Sequence, residues 1–291
     1  MRTRHRLALL AAAAAAPLTA GAQVKPDDLG FTTPASYLQQ RQGDVIVLAP
    51  ANAGPQHPCI YGLAGRHAYT GSLETAAEAA LTQVVVPGWQ RLDDRHAAMR
   101  GTSADGWPYV WYRAGFRGNM GGQQTAVNAM ALVLPAGPGQ LHLVWSMGNI
   151  AHCLADDATF EALFHSLRPP AWTPDGGQAL TKAMAGTWRF TAGSAGMHQL
   201  TFTPDGRYAR DLGSSARVGV MERTSSQATG GRFALRSGEL TLTADHRPQA
   251  PDRYRVRVYD EWYQGAWKRA MTLVDVSATP PTVVQYYRVE P

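Results

Sequence analysis

The pattern of apolar and polar positions divides the chain into two different blocks. Between residues 44 and 167, apolar runs of strand length alternate with segments of helical period. From Gly186 onward, short segments alternate apolar and polar residues at a period of two, with Pro-Asp-Gly and Ser-Gly turns between them. A Pro/Gly-rich stretch at residues 167–177 separates the blocks and is the best candidate for a domain boundary.

The first block is predicted to fold as an antiparallel sheet with two helices on one face. One helix begins after Ser72, which can cap it, and ends before Pro87. The second begins near Asp157 and repeats its apolar residues at i, i+3, i+4 and i+7. Strands are predicted near residues 44–50, 59–65, 107–116, 125–134 and 140–147. This order of elements favours an α+β domain over residues 23–170.

Two polar or flexible segments of this block are interpreted as loops. The glycine-rich run at residues 115–122 is followed by a strand rather than a helix, so we interpret it as a hairpin connection and not as a phosphate-binding loop. Asp93 and Asp94 lie among arginines and are interpreted as a solvated loop.

The second block is predicted to be all-β, a sandwich or barrel over residues 186–291, preceded by a linker at residues 171–185 that includes a short helix at 178–184. The stretch TFTPDGRY at residues 201–208 forms one of its hairpins, because Asp205 and Gly206 favour a tight turn. Strands are predicted near residues 187–190, 199–203, 207–211, 231–236, 239–243, 253–262, 268–276 and 282–290, with a further one near 216–223.

The ends of this block carry a resemblance to a known family. Its first strand holds Gly186-Thr187-Trp188, and its last strand holds Arg288. A G-x-W in the first strand with an arginine in the last resembles the lipocalin (calycin) superfamily, and most closely the compact lipocalin-like domains of bacterial exported proteins. The resemblance implies an antiparallel barrel in which Trp188 and Arg288 meet at the closed end, a contact worth roughly 0.5–2 kcal/mol.

The first block resembles the PsbP and Mog1 α/β sandwiches more distantly, through the order of its elements and the closing helix F-x-x-L-F-x-S-L. We carry no residue role across from that resemblance. In the barrel, bulky apolar residues at inward positions are expected to fill the interior, and if the barrel is hollow its ligand would be apolar. The predicted inward residues are Trp188, Phe190, Leu200, Phe202, Phe233, Leu235, Leu240, Leu242, Val256, Val258 and Leu273.

The N-terminus has the layout of a secretory signal peptide over residues 1–22. Three arginines precede an apolar run at residues 7–16, and an Ala-Gly-Ala site ends at Ala22. We therefore expect a bacterial protein that is periplasmic or secreted, with no transmembrane segment after cleavage. Cleavage lowers the net charge from +5 to +2, and no basic run remains. The sequence therefore predicts no binding to nucleic acid.

The two cysteines, Cys59 and Cys153, suggest a disulfide, because an even number of cysteines in an exported chain is usually oxidised. Closing a loop of about 94 residues would stabilise the fold by roughly 4 kcal/mol. A metal site is one alternative, since His57 and His152 lie near the cysteines and two Cys with two His suit Zn²⁺ or Cu⁺. Two free thiols are the other alternative. Their spacing matches no established zinc finger.

Catalytic chemistry receives little support from the sequence. No G-x-S-x-G motif is present, and Asp260 and Glu261 are adjacent on a predicted strand, so they point to opposite faces. We therefore expect a non-catalytic protein without a cofactor that binds a hydrophobic small molecule or a partner protein of the cell envelope. The alternatives are a structural or interaction module with a filled barrel, a metal-handling protein, and an enzyme of unknown type.

Overall fold

The structure is a computed structural model that describes residues 29–51, 59–120, 123–149, 157–170, 173, 175–192, 196–218, 221–236, 238–245, 250–263, 265–278 and 281–289. The fold is mostly β. Contacts divide the chain into two compact units, one comprising residues 1–100 and 108–173 and the other residues 101–107 and 174–291. The predicted signal peptide lies outside the described residues, and it and the domain limits chosen from the sequence stay predictions.

The first unit is built on one sheet whose strand order is β1-β2-β3-β7-β6-β5-β4. Every pairing with a described register is antiparallel. A bridge between Gly30 and Arg168 ties the beginning of the described chain to the segment after the last helix of this unit. The strands are β1 (Tyr37–Gln42), β2 (Val45–Pro50), β3 (Ile60–Ala68), β4 (Gln90–Thr102), β5 (Pro108–Met120), β6 (Gln123–Gly137) and β7 (Gln140–Asn149).

The first helix of this unit, α1 (Leu73–Ala79), continues as π-helical turns over Ala80–Val85. Ser72 caps it as the sequence predicts, because its Oγ accepts a hydrogen bond from the backbone N–H of Thr75 at 3.2 Å. Ala77 and Leu81 are fully buried in a core that also contains alternate residues of β5, such as Val110 and Phe116.

The second helix, α2 (Asp157–Ser166), packs on the opposite face of the sheet. Its Phe160 and Phe164 rings lie 4.3 Å and 4.9 Å from those of Trp111 and Tyr109, which alternate along β5 with the residues that face α1. The prediction of two helices on one face was therefore wrong. Because β5 is apolar on both faces, each face needs a covering layer.

Both segments that were interpreted as loops lie at least partly in strands. Asp93 and Asp94 belong to β4, and the glycine run is part of β5 as far as Met120, paired with β6. The glycines have a packing role at one position at least. A Cβ at Gly118 would lie 2.1 Å from Cδ2 of Trp89, so only glycine leaves room for this indole.

The second unit contains a closed, eight-stranded antiparallel barrel, which confirms the predicted barrel. Its strands follow one another around the wall in chain order, and β13 pairs with β14, and β15 with β8, to close it. The segment predicted as a separate strand near residue 216 forms the ends of β10 and β11. The strands are β8 (Gly186–Ala192), β9 (Gly196–Phe202), β10 (Arg207–Val218), β11 (Met221–Arg236), β12 (Glu239–Ala244), β13 (Asp252–Tyr263), β14 (Ala266–Asp275) and β15 (Thr282–Arg288).

The hairpin between β9 and β10 forms as its sequence predicts. The backbone N–H of Thr203 donates to the carbonyl of Arg207 at 2.9 Å, and that of Gly206 donates to the carbonyl of Thr203 at 3.1 Å. Gly206 has a φ of 82°, a conformation that glycine adopts without strain. The Pro-Asp-Gly sequence therefore fixes the register of these two strands.

A short helix, α3 (Gln178–Met184), packs into one end of the barrel. Its Leu180 and Met184 are fully buried in the barrel core beside Trp188. The indole N–H of Trp188 donates to the carbonyl of Met184 at 2.7 Å, so the helix is held to the first strand by a buried hydrogen bond. We call this the closed end of the barrel.

Candidate functional site

The interior of the barrel is not filled at the end opposite α3, which we call the mouth. A cavity of about 200 Å³ remains there, so the prediction of a completely filled interior was wrong at this end. It is smaller than most pockets for drug-sized ligands. Its lining combines apolar and polar side chains: His198, Leu200, Arg210, Leu242, Tyr254, Leu273, Asp275, Thr282, Val284 and Tyr286.

Strand alternation places these side chains inside the barrel. In the registers of β9, β10, β13 and β14, Arg210 lies opposite Leu200, and Tyr254 lies opposite Asp275. Residues that face one another across a pairing point to the same side of the sheet. Because Leu200 belongs to the barrel core, the polar residue paired with it is also directed inward.

The inner part of the cavity is apolar. Leu200, Leu242 and Leu273 are at most 3 % exposed, and Val284 packs against the same core. Toward the closed end this surface continues into Val256, Val258 and Phe202. A molecule that enters the cavity would therefore bury its innermost atoms against aliphatic side chains, which is favourable by about 25 cal/mol per Å² of apolar surface.

Arg210 gives the mouth its polar character. One of its guanidinium nitrogens, Nη1, donates to Oδ2 of Asp252 at 3.2 Å, and the side chain is also hydrogen-bonded to Tyr254. Its positive charge acts on the other titratable side chains of the lining. It lowers the pKa of His198, as burial does to a larger extent, and it opposes the rise in the pKa of Tyr286.

The two tyrosines of the lining are protonated at neutral pH and can donate hydrogen bonds. Burial raises the pKa of Tyr286 to about 12 and also raises the pKa of Tyr254. Burial lowers the pKa of His198 and the charge of Arg210 lowers it further, so the neutral form of its imidazole is favoured. The mouth therefore combines the positive charge of Arg210 and neutral hydrogen-bonding groups with the carboxylate of Asp275, whose pKa is lowered by hydrogen bonds from Ser277.

The predicted closing pair lies near the other end of the barrel. Trp188 is fully buried, and Cζ of Arg288 lies 6.0 Å from the centroid of its ring. The two residues face each other in the pairing of β8 with β15. Gly186 has a φ of 127°, a conformation that other residues rarely adopt, and a Cβ there would lie 3.0 Å from Nη2 of Arg288, so a larger residue would be strained and would displace the guanidinium.

The predicted interior residues all belong to the barrel core, but few of them line the cavity. Phe202, Leu242, Val256 and Val258 are buried, and Phe190 and Phe233 are partly buried against the same core. Among the described residues that line the cavity, Leu242 is the one that belongs to these six. The sequence-based search chose apolar residues, and it therefore missed the polar ones, although Arg210 and Tyr254 occupy inward positions by simple alternation.

The Cys/His cluster is described in part. Cys59 is 4 % exposed and is not a free thiol, and its carbonyl accepts a hydrogen bond from the Tyr37 hydroxyl at 3.2 Å. His57, His152 and Cys153 lie outside the described residues, so the disulfide and the alternative metal site both stay predictions. Within the described ranges, no group of three or more His, Cys, Asp or Glu side chains is arranged to hold a metal ion.

Comparisons with known proteins do not assign the chain to a family. No protein-family model matches it, and no curated protein is similar to it. The resemblances to lipocalins and to the PsbP and Mog1 sandwiches therefore rest on residues, element order and, for the barrel, its closed eight-stranded form. In the part of the chain that the structure describes, no helix has the length and apolar character needed to cross a bilayer.

Proposed function

We propose that this protein is exported and that its barrel binds a small, largely apolar molecule without catalysing a reaction. The observation that carries the proposal is the cavity at the mouth, in which an aliphatic inner wall is combined with a polar rim. Binding sites for small molecules commonly have this composition, with a few polar groups that orient the ligand. The pattern of residues 1–22 supports the export part of the proposal.

The alternatives have less support. A module that acts only through its surface would not need a cavity beside a single inward arginine. A metal-handling role would depend on the Cys/His set, of which Cys59 alone is described. An envelope protein partner stays compatible with a ligand-binding barrel, and the exposed Trp262 and Trp267 are apolar side chains that such a partner could contact.

The test is to fill the cavity from a position in its lining. Val284 lines the cavity on β15, and its neighbour Val283 has the same side chain on the opposite face of the strand. We would compare Val284→Phe with the matched control Val283→Phe and the unchanged protein. Binding of 1-octanol would be measured by calorimetry, and native mass spectrometry of protein from the periplasm would search for a ligand that copurifies.

The proposal expects 1-octanol to bind the unchanged protein and Val283→Phe equally, with a negative heat-capacity change from apolar burial. Val284→Phe should weaken binding by about tenfold or more, because its ring occupies the space of the ligand. Equal affinity in both variants would contradict the assignment of the cavity. Absence of 1-octanol binding, together with equal native and denatured masses, would reject the ligand-binding function and favour an interaction module.

A further inference from the structure

The chemistry of the mouth indicates which polar group the ligand should carry. Of the described residues that line the cavity, Arg210 has the one permanently cationic side chain. It is partly exposed, with 28 % of its side chain accessible, so a ligand can reach it from the cavity and from solvent. A single arginine next to an aliphatic wall suits a molecule that is apolar along its length and negative at one end.

The acidic groups near the mouth accept hydrogen bonds from this chain, and Asp275 keeps its negative charge in the lining, where it opposes the binding of an anion. Oδ1 of Asp275 accepts hydrogen bonds from the backbone N–H and the hydroxyl of Ser277, at 2.8 Å and 2.6 Å. Asp252 bonds to Arg210 and is not part of the lining. Tyr254 and Tyr286 add hydroxyl groups that can donate. Arg210 and these two hydroxyls can all donate to a ligand head that accepts hydrogen bonds.

We infer that the ligand of the barrel is a small apolar carboxylate whose head binds to Arg210 at the mouth. This inference rests on the proposed ligand-binding function. The guanidinium presents five N–H donors in a planar fork that fits the two oxygens of a carboxylate. The bond from Nη1 to Asp252 occupies part of this fork, so the ligand carboxylate and Asp252 compete for the same group.

That competition gives two variants with opposite expected effects. Arg210→Gln removes the positive charge and should weaken carboxylate binding. Asp252→Asn keeps the shape of the side chain but removes the competing negative charge, so it should strengthen carboxylate binding. Arg207 is the matched control. It lies on the same strand three residues before Arg210, so its side chain points to the opposite face of the strand. It also pairs with an aspartate, Asp245, at 2.7 Å. Arg207→Gln therefore removes an equivalent charge outside the cavity.

The experiment compares two ligands with the same chain and different heads. Octanoate and 1-octanol would be titrated calorimetrically into the full mature protein and the three variants at pH 7, at low and at physiological ionic strength. The readout is the ratio of the two affinities. The unfolding midpoint of each variant, measured by circular dichroism, verifies that the fold is intact.

The inference expects octanoate to bind about tenfold more tightly than 1-octanol, since a charge-assisted hydrogen bond to arginine contributes that much. The ratio should fall to about one in Arg210→Gln, rise several-fold in Asp252→Asn, and stay unchanged in Arg207→Gln. Added salt should reduce the ratio, because the mouth is partly exposed.

The possible failures are distinguishable. If 1-octanol binds and octanoate binds no better, the ligand head is not a carboxylate at Arg210, and the inference is overturned while the proposed function stands. The same conclusion follows if Arg210→Gln and Arg207→Gln lower the ratio equally. If neither molecule binds the unchanged protein, the proposed function fails and this inference fails with it.

Discussion

The contact between Gly62 and Trp145 allows a stability prediction whose size follows from the structure. The two residues face each other in the pairing of β3 with β7, and the Trp145 side chain is buried. A Cβ at Gly62 would lie 2.0 Å from Cε2, 2.2 Å from Cζ2 and 2.3 Å from Nε1 of the indole. Ordinary contact begins at 3.4 Å, so an alanine requires the ring to retreat by about 1.4 Å into a close-packed core.

We expect Gly62→Ala to lower the free energy of unfolding by about 3 kcal/mol, the upper end of the usual range for overpacking, because a buried indole is rigid and cannot rotate away. In urea, with a slope near 2 kcal/mol per molar, the midpoint would fall by about 1.5 M. The assay is urea unfolding followed by far-ultraviolet circular dichroism, since a change at a tryptophan would alter a fluorescence signal.

A double-mutant cycle separates the clash from a general effect of alanine. In a Trp145→Leu background no side-chain atom reaches the positions of Cε2, Cζ2 and Nε1, and Gly62→Ala should then cost less than about 1 kcal/mol. The coupling between the two positions should therefore reach about 2 kcal/mol. The same cost in both backgrounds, or a cost below about 0.5 kcal/mol with Trp145 present, would refute the steric argument.

Three further predictions concern other parts of the chain. Trp188→Phe should lower stability by about 2 kcal/mol in thermal or urea unfolding, because it removes the donor to the Met184 carbonyl and leaves a void at the closed end. Burial lowers the pKa of His67 despite the opposing charge of Asp44. The unfolded chain therefore binds the proton more readily than the folded protein, and stability should decline as the pH falls below about 6.5. His67→Gln should flatten this decline when unfolding is measured across pH. Reduction of the predicted disulfide of Cys59 should lower stability by about 4 kcal/mol, and the intact mass should lie two hydrogens below that of the reduced chain.

Elements with strong local signals could be predicted from the sequence. The caps and turns depend on neighbouring residues, so Ser72 gave the start of α1 and Asp205-Gly206 gave the hairpin of β9 and β10. The short helix before the barrel was also predicted within its observed bounds, Gln178–Met184. The barrel was expected from the regular spacing of short alternating strands, because that spacing depends on local turns.

Features that depend on distant parts of the chain were predicted less well. The glycine run looked flexible because nothing in the neighbouring sequence reveals that Trp89 lies against Gly118. The placement of α2 was also missed. The information was present in β5, where aromatic residues at 109 and 111 alternate with Val110 and Tyr112, so that both faces of the strand are apolar. A strand of this kind indicates a layer on each side of the sheet.

The candidate site was missed for a more instructive reason. The predicted inward set contained apolar residues alone, whereas Arg210 and Tyr254 keep the period of their strands and also face inward. An inward arginine costs desolvation energy, and this cost is reduced here by its bond to Asp252 and its position at an open end. A filled apolar interior would be more stable, so the presence of these residues at the mouth is difficult to explain by folding alone. Such departures from the local pattern tend to mark functional positions, and the mouth of the barrel is therefore the first place to test for a ligand.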